Sequence, residues 1–220
     1  MKRPKFVTFD CYGTLVKFEL HAATRKVLGR QLDRIDAEAF FDEFHDLRLK
    51  EIVGKYRPYD QVLSRSLEKA MREFGLEYQP EYGAAIVEAV PTFGPYSEVP
   101  AALERLRTHS KLAIISNSED RLIAGNVRNI GVPFDHVITS QQAGAYKPSL
   151  ATFRYALRQL GCGPDEILHV ARGFEYDIPP AHTLGWARVW INRDGETGDP
   201  AYGPYEVLPD LSRLPDLIGA

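Results

Sequence analysis

The chain has 220 residues, a formal net charge of −3, two cysteines and 44% apolar residues, enough for one sizeable core with room for an inserted subdomain. That charge gives no electrostatic reason for a nucleic-acid partner, and two cysteines, Cys11 and Cys162, are no disulfide framework and suit a reducing compartment. No stretch approaches the roughly 18 apolar residues of a membrane span. Asp10 also interrupts the short apolar start before it could serve as a signal peptide, so a cytoplasmic protein without membrane contact is expected.

In chain order, Lys5–Phe9 (KFVTF) is short, β-branched and aromatic, and predicts a buried strand. It runs into Asp10-Cys11-Tyr12-Gly13-Thr14-Leu15, a tight loop punctuated by Gly13. Residues 17–90 then carry helical patterns and no convincing strand. The clearest helix begins at Asp60, where Val62, Leu63, Leu67, Ala70, Met71 and Phe74 form an apolar stripe before Gly75. A βα crossover needs far fewer residues, so 17–90 reads as an inserted helical cap. The chain returns through a Pro- and Gly-rich segment, 91–100, a hinge candidate. After it come a helical pattern at Val99–Leu106, an apolar run at Leu112–Ile115, a helical pattern at Arg121–Ile130 and a shorter apolar run at His136–Thr139. Ser149 can cap a helix with Leu150, Phe153, Leu157 and Leu160 on one face and Gly161 past its end. Apolar runs at Ile167–Ala171 and Ala187–Ile191 complete the series. Strands alternating with helices predict an α/β fold with a doubly wound, Rossmann-like parallel sheet. Residues 1–16 and 91–220 would form the core, and 17–90 the cap.

Ligands of open α/β sheets sit beyond the carboxyl ends of the strands. Asp10 and Thr14 follow the first strand, and Ser116-Asn117-Ser118 follow Leu112–Ile115. Lys147 follows His136–Thr139, and Asp177 follows Ile167–Ala171. Two carboxylates, hydroxyls, an amide and an ammonium are thus expected at one edge.

Taken together, Phe9-Asp10-Cys11-Tyr12-Gly13-Thr14-Leu15, Ile115-Ser116-Asn117-Ser118, Ala145-Tyr146-Lys147-Pro148 and Tyr176-Asp177, with Val189-Trp190-Ile191-Asn192-Arg193, resemble the haloacid dehalogenase superfamily, and most closely its type II 2-haloacid dehalogenase branch. The resemblance spans nearly the whole chain. Phosphatases of that superfamily carry D-x-D at the first motif, the second Asp protonating the leaving alkoxide. Here that position is Tyr12, whose ordinary pKa near 10 suits it poorly to the task. Such phosphatases also present further carboxylates after the last motif strand to hold Mg²⁺, whereas this segment reads Ala171-Arg172-Gly173-Phe174-Glu175-Tyr176-Asp177. A halide needs neither a proton nor a metal to leave, so the resemblance implies hydrolytic dehalogenation with no metal and no cofactor.

The resemblance further implies that Asp10 displaces halide from the carbon and forms an ester that water then hydrolyses. Lys147 would pair with Asp10 and fix its orientation. Ser116, with backbone amides near Tyr12 and Thr14, would bind the substrate carboxylate. Arg48 of the cap and Asn117 would receive the halide, Tyr12 would wall the pocket, and Asp177 would orient the water. The partner is then a small-molecule carboxylate, with a homodimer left open. Type II enzymes usually carry serine, and often asparagine, where Ala171–Phe174 stand, so a hydroxyl expected to help hold Lys147 and the water is missing. A tyrosine expected after the Lys-Pro motif aligns with Phe153. Arg172 is free to bind a second carboxylate or to face solvent.

Three rivals remain: a related hydrolase acting on a carbon substrate with another leaving group, a catalytically weak anion-binding descendant, and, least favoured, a Mg²⁺-dependent phosphatase. Cys11 points away from the nucleophile on an extended chain and is expected in the core. Phe153 and Trp190 are expected there too. The six histidines, scattered without H-x-H or H-E-x-x-H, take no site role in this reading.

Overall fold

The computed structural model describes residues 3–220. Met1 and Lys2, the start of the expected core segment, lie outside the described residues. Six strands form one parallel sheet in the order β3-β2-β1-β4-β5-β6: β1 Phe6–Phe9, β2 Lys111–Ser116, β3 His136–Thr139, β4 Ile167–Ala171, β5 Ala187–Ile191 and β6 Glu206–Leu208. The helices are α1 Leu20–Leu28, α2 Ala37–Ile52, α3 Tyr59–Glu73, α4 Pro80–Ala89, α5 Val99–Leu106, α6 Asp120–Ile130, α7 Ser140–Ala143, α8 Leu150–Leu160, α9 Phe174–Thr183 and α10 Leu214–Leu217.

The strands alternate sides, as a pleated backbone must. Val7 and Phe9 share an apolar cluster with Leu112, Ile114, Leu168, Val170, Val189 and Ile191, covered by α5 and α6. Phe6, Ala113, Ile115, Ile138 and Ile167 face the other way, onto Phe153, Ala156 and Leu160 of α8, Ala181 of α9 and Trp186. Burying both faces explains why the strands read as near-continuous apolar runs. β5 and β1 through β4 fall where those runs predict them. β6 was not foreseen, because a three-residue edge strand with exposed Glu206 and Val207 carries no apolar run.

Residues 17–90 contain α1–α4 and no strand. Phe40, Phe41, Phe44, Leu63, Leu67, Met71 and Ile86 pack into one apolar cluster that continues into the sheet. Several contacts fasten the helical segment to the sheet side, among them the Arg121–Glu88 ion pair (2.6 Å). The return at 90–93 is held by Asn126 of α6, whose amide donates to the carbonyls of Val90 (2.8 Å) and Phe93 (3.0 Å). Gly125 allows this approach, since a Cβ there would collide with the Pro91 carbonyl. At the start of α3, the Asp60 amide donates to Glu119 (2.9 Å) and the Tyr146 hydroxyl to the Arg57 carbonyl (2.8 Å).

The order of strands reverses at β1, with β2 and β3 on one side and β4 to β6 on the other. The carboxyl end of β1 is therefore the switch point where a ligand crevice is expected, and Asp10 is the residue immediately beyond it.

Candidate active site

Asp10 leaves β1 as its backbone enters a tight turn. The amides of Leu15 and Val16 both donate to the Cys11 carbonyl, and the Gly13 amide donates to Val16. The turn needs φ = +83° at Gly13, a value L side chains rarely adopt. Thr14 is thereby folded back under the carboxylate. Its hydroxyl donates to Asp10 Oδ2 at 2.8 Å and accepts from the Arg172 amide at 2.8 Å. Cys11 is buried in the apolar cluster, as its alternation predicts.

Lys147 Nζ lies 2.8 Å from Asp10 Oδ1 and 2.8 Å from Asp177 Oδ1. Lys147 is 1% exposed, Asp177 1% and Asp10 8%, so this is a buried arrangement of one cation and two anions. Desolvation of that kind is repaid only by close geometry, which these contacts provide. Burial pushes the Asp10 carboxyl above the usual carboxylate range, and Lys147 and Thr14 pull it only partly back. Burial acts the same way on Asp177, but Lys147 and a buried histidine outweigh it and hold that carboxyl low. Burial likewise lowers Lys147, and its two carboxylates more than restore it. Asp177 stands in the first turn of α9.

Asn117 follows β2 and spans the Lys147 backbone, its Nδ2 donating to the carbonyl (3.0 Å) and its Oδ1 accepting from the amide (2.7 Å). This pairing seats the lysine and leaves one amide hydrogen for a ligand. The Ser116 hydroxyl, at the end of β2, is fully buried without a protein partner. Tyr12 points its hydroxyl to Asn126 (2.9 Å) and Ser118 (3.2 Å), which leaves its ring as wall.

That wall continues into the helical segment. The rings of Tyr12 and Phe18 are 5.0 Å apart, and the Arg48 guanidinium lies 5.0 Å from the Phe18 ring centre. Arg48 of α2 is 7% exposed, donates to the Tyr59 hydroxyl (3.3 Å) and meets His45 Nδ1 at 2.8 Å. Burial, reinforced by Arg48, lowers the His45 pKa, which suits a neutral ring accepting from the guanidinium. No carboxylate among the described residues pairs with Arg48, and its Nε has no partner. A buried cation without a counter-ion and a buried hydroxyl without a partner are both groups that an anion would satisfy.

Arg172 turns away, donating to Asp194 (3.0 Å from Nε) at a half-exposed position, so it adds no charge to the centre. Phe153 and Trp190 are buried, as expected. One residue of the cluster was missed: His169 of β4, fully buried, contacts Asp177 Oδ1 at 2.8 Å through Nε2. A lone histidine in an apolar run gives no pattern to find it by. The available signal was its alternation with Val170, which turns it to the opposite side of the sheet. An open hollow of about 640 Å³ lies at the other end of the strands, among Lys5, Lys111 and Asp135, away from this chemistry.

The haloacid dehalogenase-like hydrolase family matches residues 4–185. The chain belongs to that family. Among its curated relatives, an (S)-2-haloacid dehalogenase of Pseudomonas sp. strain YL is 28% identical over 221 residues, covering 96% of this chain and 88% of the relative. A haloacetate dehalogenase of Moraxella sp. strain B is 28% identical over 202 residues, covering 89% and 88%. An L-2-haloacid dehalogenase structure from Xanthobacter autotrophicus, with chloropropionic acid covalently bound, superposes with a TM-score of 0.82 at 23% identity over 99% of each chain, a likeness of fold. A magnesium-bound structure from Bacillus subtilis superposes with a TM-score of 0.86 at 18% identity, a likeness of fold. Magnesium is a hard cation wanting near-octahedral oxygen ligands. Here two carboxylates share the Lys147 ammonium, and among the described residues no three His, Cys, Asp or Glu side chains converge. The residues do not fit that ion.

Proposed function

We propose that this protein hydrolyses short 2-haloacids to 2-hydroxy acids through an ester on Asp10. The observation that carries the reading is the pairing of a held carboxylate with an unpaired buried cation. Asp10 is fixed through both oxygens, while Arg48 and Ser116 keep donors that no protein group takes. An anionic substrate with an anionic leaving group matches that set. The names of the relatives favour (S)-2-haloacids and haloacetate as substrates.

In the first step an Asp10 oxygen attacks the carbon bearing the halogen, and halide departs with the bonding pair. The substrate carboxylate is held by Ser116 and nearby backbone amides, and the halide by Arg48 and the free Asn117 hydrogen. In the second step water attacks the ester carbonyl of Asp10 and passes a proton to Asp177. Collapse then expels the 2-hydroxy acid oxygen, which takes that proton, and Asp10 gives up the second water proton to solvent and returns to the carboxylate. Tyr12, whose hydroxyl is engaged by Asn126 and Ser118, is in no position to protonate a phosphate ester's leaving oxygen, which disfavours a phosphatase. Residues 17–90 act as a cap that seals the site, strengthening its charge interactions by excluding water. No described helix is long and apolar enough to cross a membrane. Two free cysteines suit the cytoplasm.

Halide release measured with chloro-, bromo- and fluoroacetate and both 2-chloropropionates tests the reading, with release from (S)-2-chloropropionate expected. Release from none of them, with turnover of another carbon substrate, points to a different leaving group. Turnover of phosphate esters alone overturns the reading.

A further inference from the structure

Asp177 makes one further contact, to a residue inside the sheet, that the two steps do not use. Thr8 of β1 and His169 of β4 are register partners on adjacent strands, so both side chains face α8 and α9. The His169 ring stands edge-on to Phe153 (5.5 Å) and Trp186 (6.0 Å), which offer it no acceptor. Its Nδ1 lies 2.8 Å from Thr8 Oγ1 and its Nε2 lies 2.8 Å from Asp177 Oδ1. The Thr8 hydroxyl has one hydrogen. Its other acceptor, the Leu168 carbonyl, is 3.5 Å away, so the hydrogen goes to Nδ1. Nε2 then carries the ring hydrogen and donates to Asp177, an assignment made from the hydrogen-bond network.

Asp177 is therefore held unevenly. Oδ1 takes both the Lys147 ammonium and the His169 N–H, and Oδ2 takes neither. Oδ2 lies beside Gly173, 3.3 Å from where a Cβ would stand, so the absence of a side chain there keeps its surroundings clear. Asp10 shares the same ammonium but has no histidine. The segment Ala171–Phe174 offers no side-chain hydroxyl, and Arg172 is engaged with Asp194. The donor that steadies the second carboxylate comes instead from inside β4.

We propose that His169 is a positioning residue for hydrolysis of the Asp10 ester, fixing Asp177 with Oδ2 free to take the proton of the attacking water. The inference rests on the dehalogenase reading and deepens it. His169 touches neither Asp10 nor Thr14, so the first step does not depend on it. The opposite shifts of the two carboxyls agree with this division: His169 supports the ionised form of Asp177 only.

The experiment is rapid-quench kinetics on the full chain with (S)-2-chloropropionate, reading halide and the mass of acid-quenched enzyme. His169→Phe keeps an aromatic ring and removes the donor. It should release close to one halide per site at the parent's rate and then slow, with kcat falling about 100-fold, the lower range of what a well-placed base contributes. KM should fall in parallel, and the ester-bearing enzyme should become the main species. His169→Gln, which retains an N–H donor, should lie between. Thr8→Val, which removes the hydroxyl that sets the ring's hydrogen, should shift kinetics the same way by less. If His169→Phe does not fold, the other two variants are read alone. Parent-like kinetics without accumulated ester, or equal loss of the burst and the steady state, overturns the inference while leaving the dehalogenase reading in place. No halide from the parent overturns both.

Discussion

Lys147→Met removes the charge at the centre of the site while nearly conserving side-chain volume. Lys147 Nζ is 2.8 Å from each of two carboxylates, and its side chain is 2% exposed against 12% for Asp10 and 1% for Asp177. Without it, two buried anions face each other with no cation. Stranding the partners of a buried ion pair costs about 3–5 kcal/mol. Protonation of Asp10, already raised by burial, limits that cost. A carboxyl whose folded pKa lies above its unfolded value binds its proton more tightly when folded, so its penalty grows as pH rises and disappears in acid. The difference between parent and variant should therefore be larger at pH 7 than at pH 5. Urea unfolding of both proteins at pH 7 and pH 5 measures it. A difference under about 1 kcal/mol, equal at both pH values, is what an exposed pair would give and would refute the buried bridge. The variant should also lose turnover.

Arg48→Ala should lower kcat/KM by about 2–4 kcal/mol, the range for losing a charge-stabilising donor. Arg48→Lys should not restore it, because the planar fork that reaches Tyr59 and His45 is lost. A variant that melts well below the parent yet keeps its activity when cold would make Arg48 structural. Chelators should leave halide release unchanged, and a loss in EDTA that Mg²⁺ reverses would revive the phosphatase. The rate of ester formation should decline as pH falls through the raised Asp10 pKa, since only the carboxylate attacks. A pre-steady-state halide burst followed across pH reads this directly, and an acid-insensitive burst contradicts it.

The sheet was legible because its strands are buried on both faces and so form apolar runs, whereas exposed β6 has no such signature. Asp10, Thr14, Ser116, Asn117, Lys147 and Asp177 were legible from position, each at or beyond the carboxyl end of a strand. Arg48 was nameable only through resemblance, because nothing local distinguishes it from Arg25 or Arg57. Its burial against Phe18 is a tertiary fact. Asn117's grip on the Lys147 backbone and Tyr12's on Asn126 depend on loop conformations that composition does not reveal. His169 was hidden for a related reason: a histidine becomes legible when register sets it between a threonine and a carboxylate, and register is not readable from one strand.

The central claim is that Asp10 carries the ester. A single turnover in ¹⁸O-water with enzyme in excess over (S)-2-chloropropionate, followed by mass spectrometry of the peptide containing Asp10 and of the product, tests it. Water attacking the ester carbonyl puts the label into the Asp10 carboxylate and leaves the first 2-hydroxy acid unlabelled. Label in that first product, with none in the peptide, contradicts the mechanism.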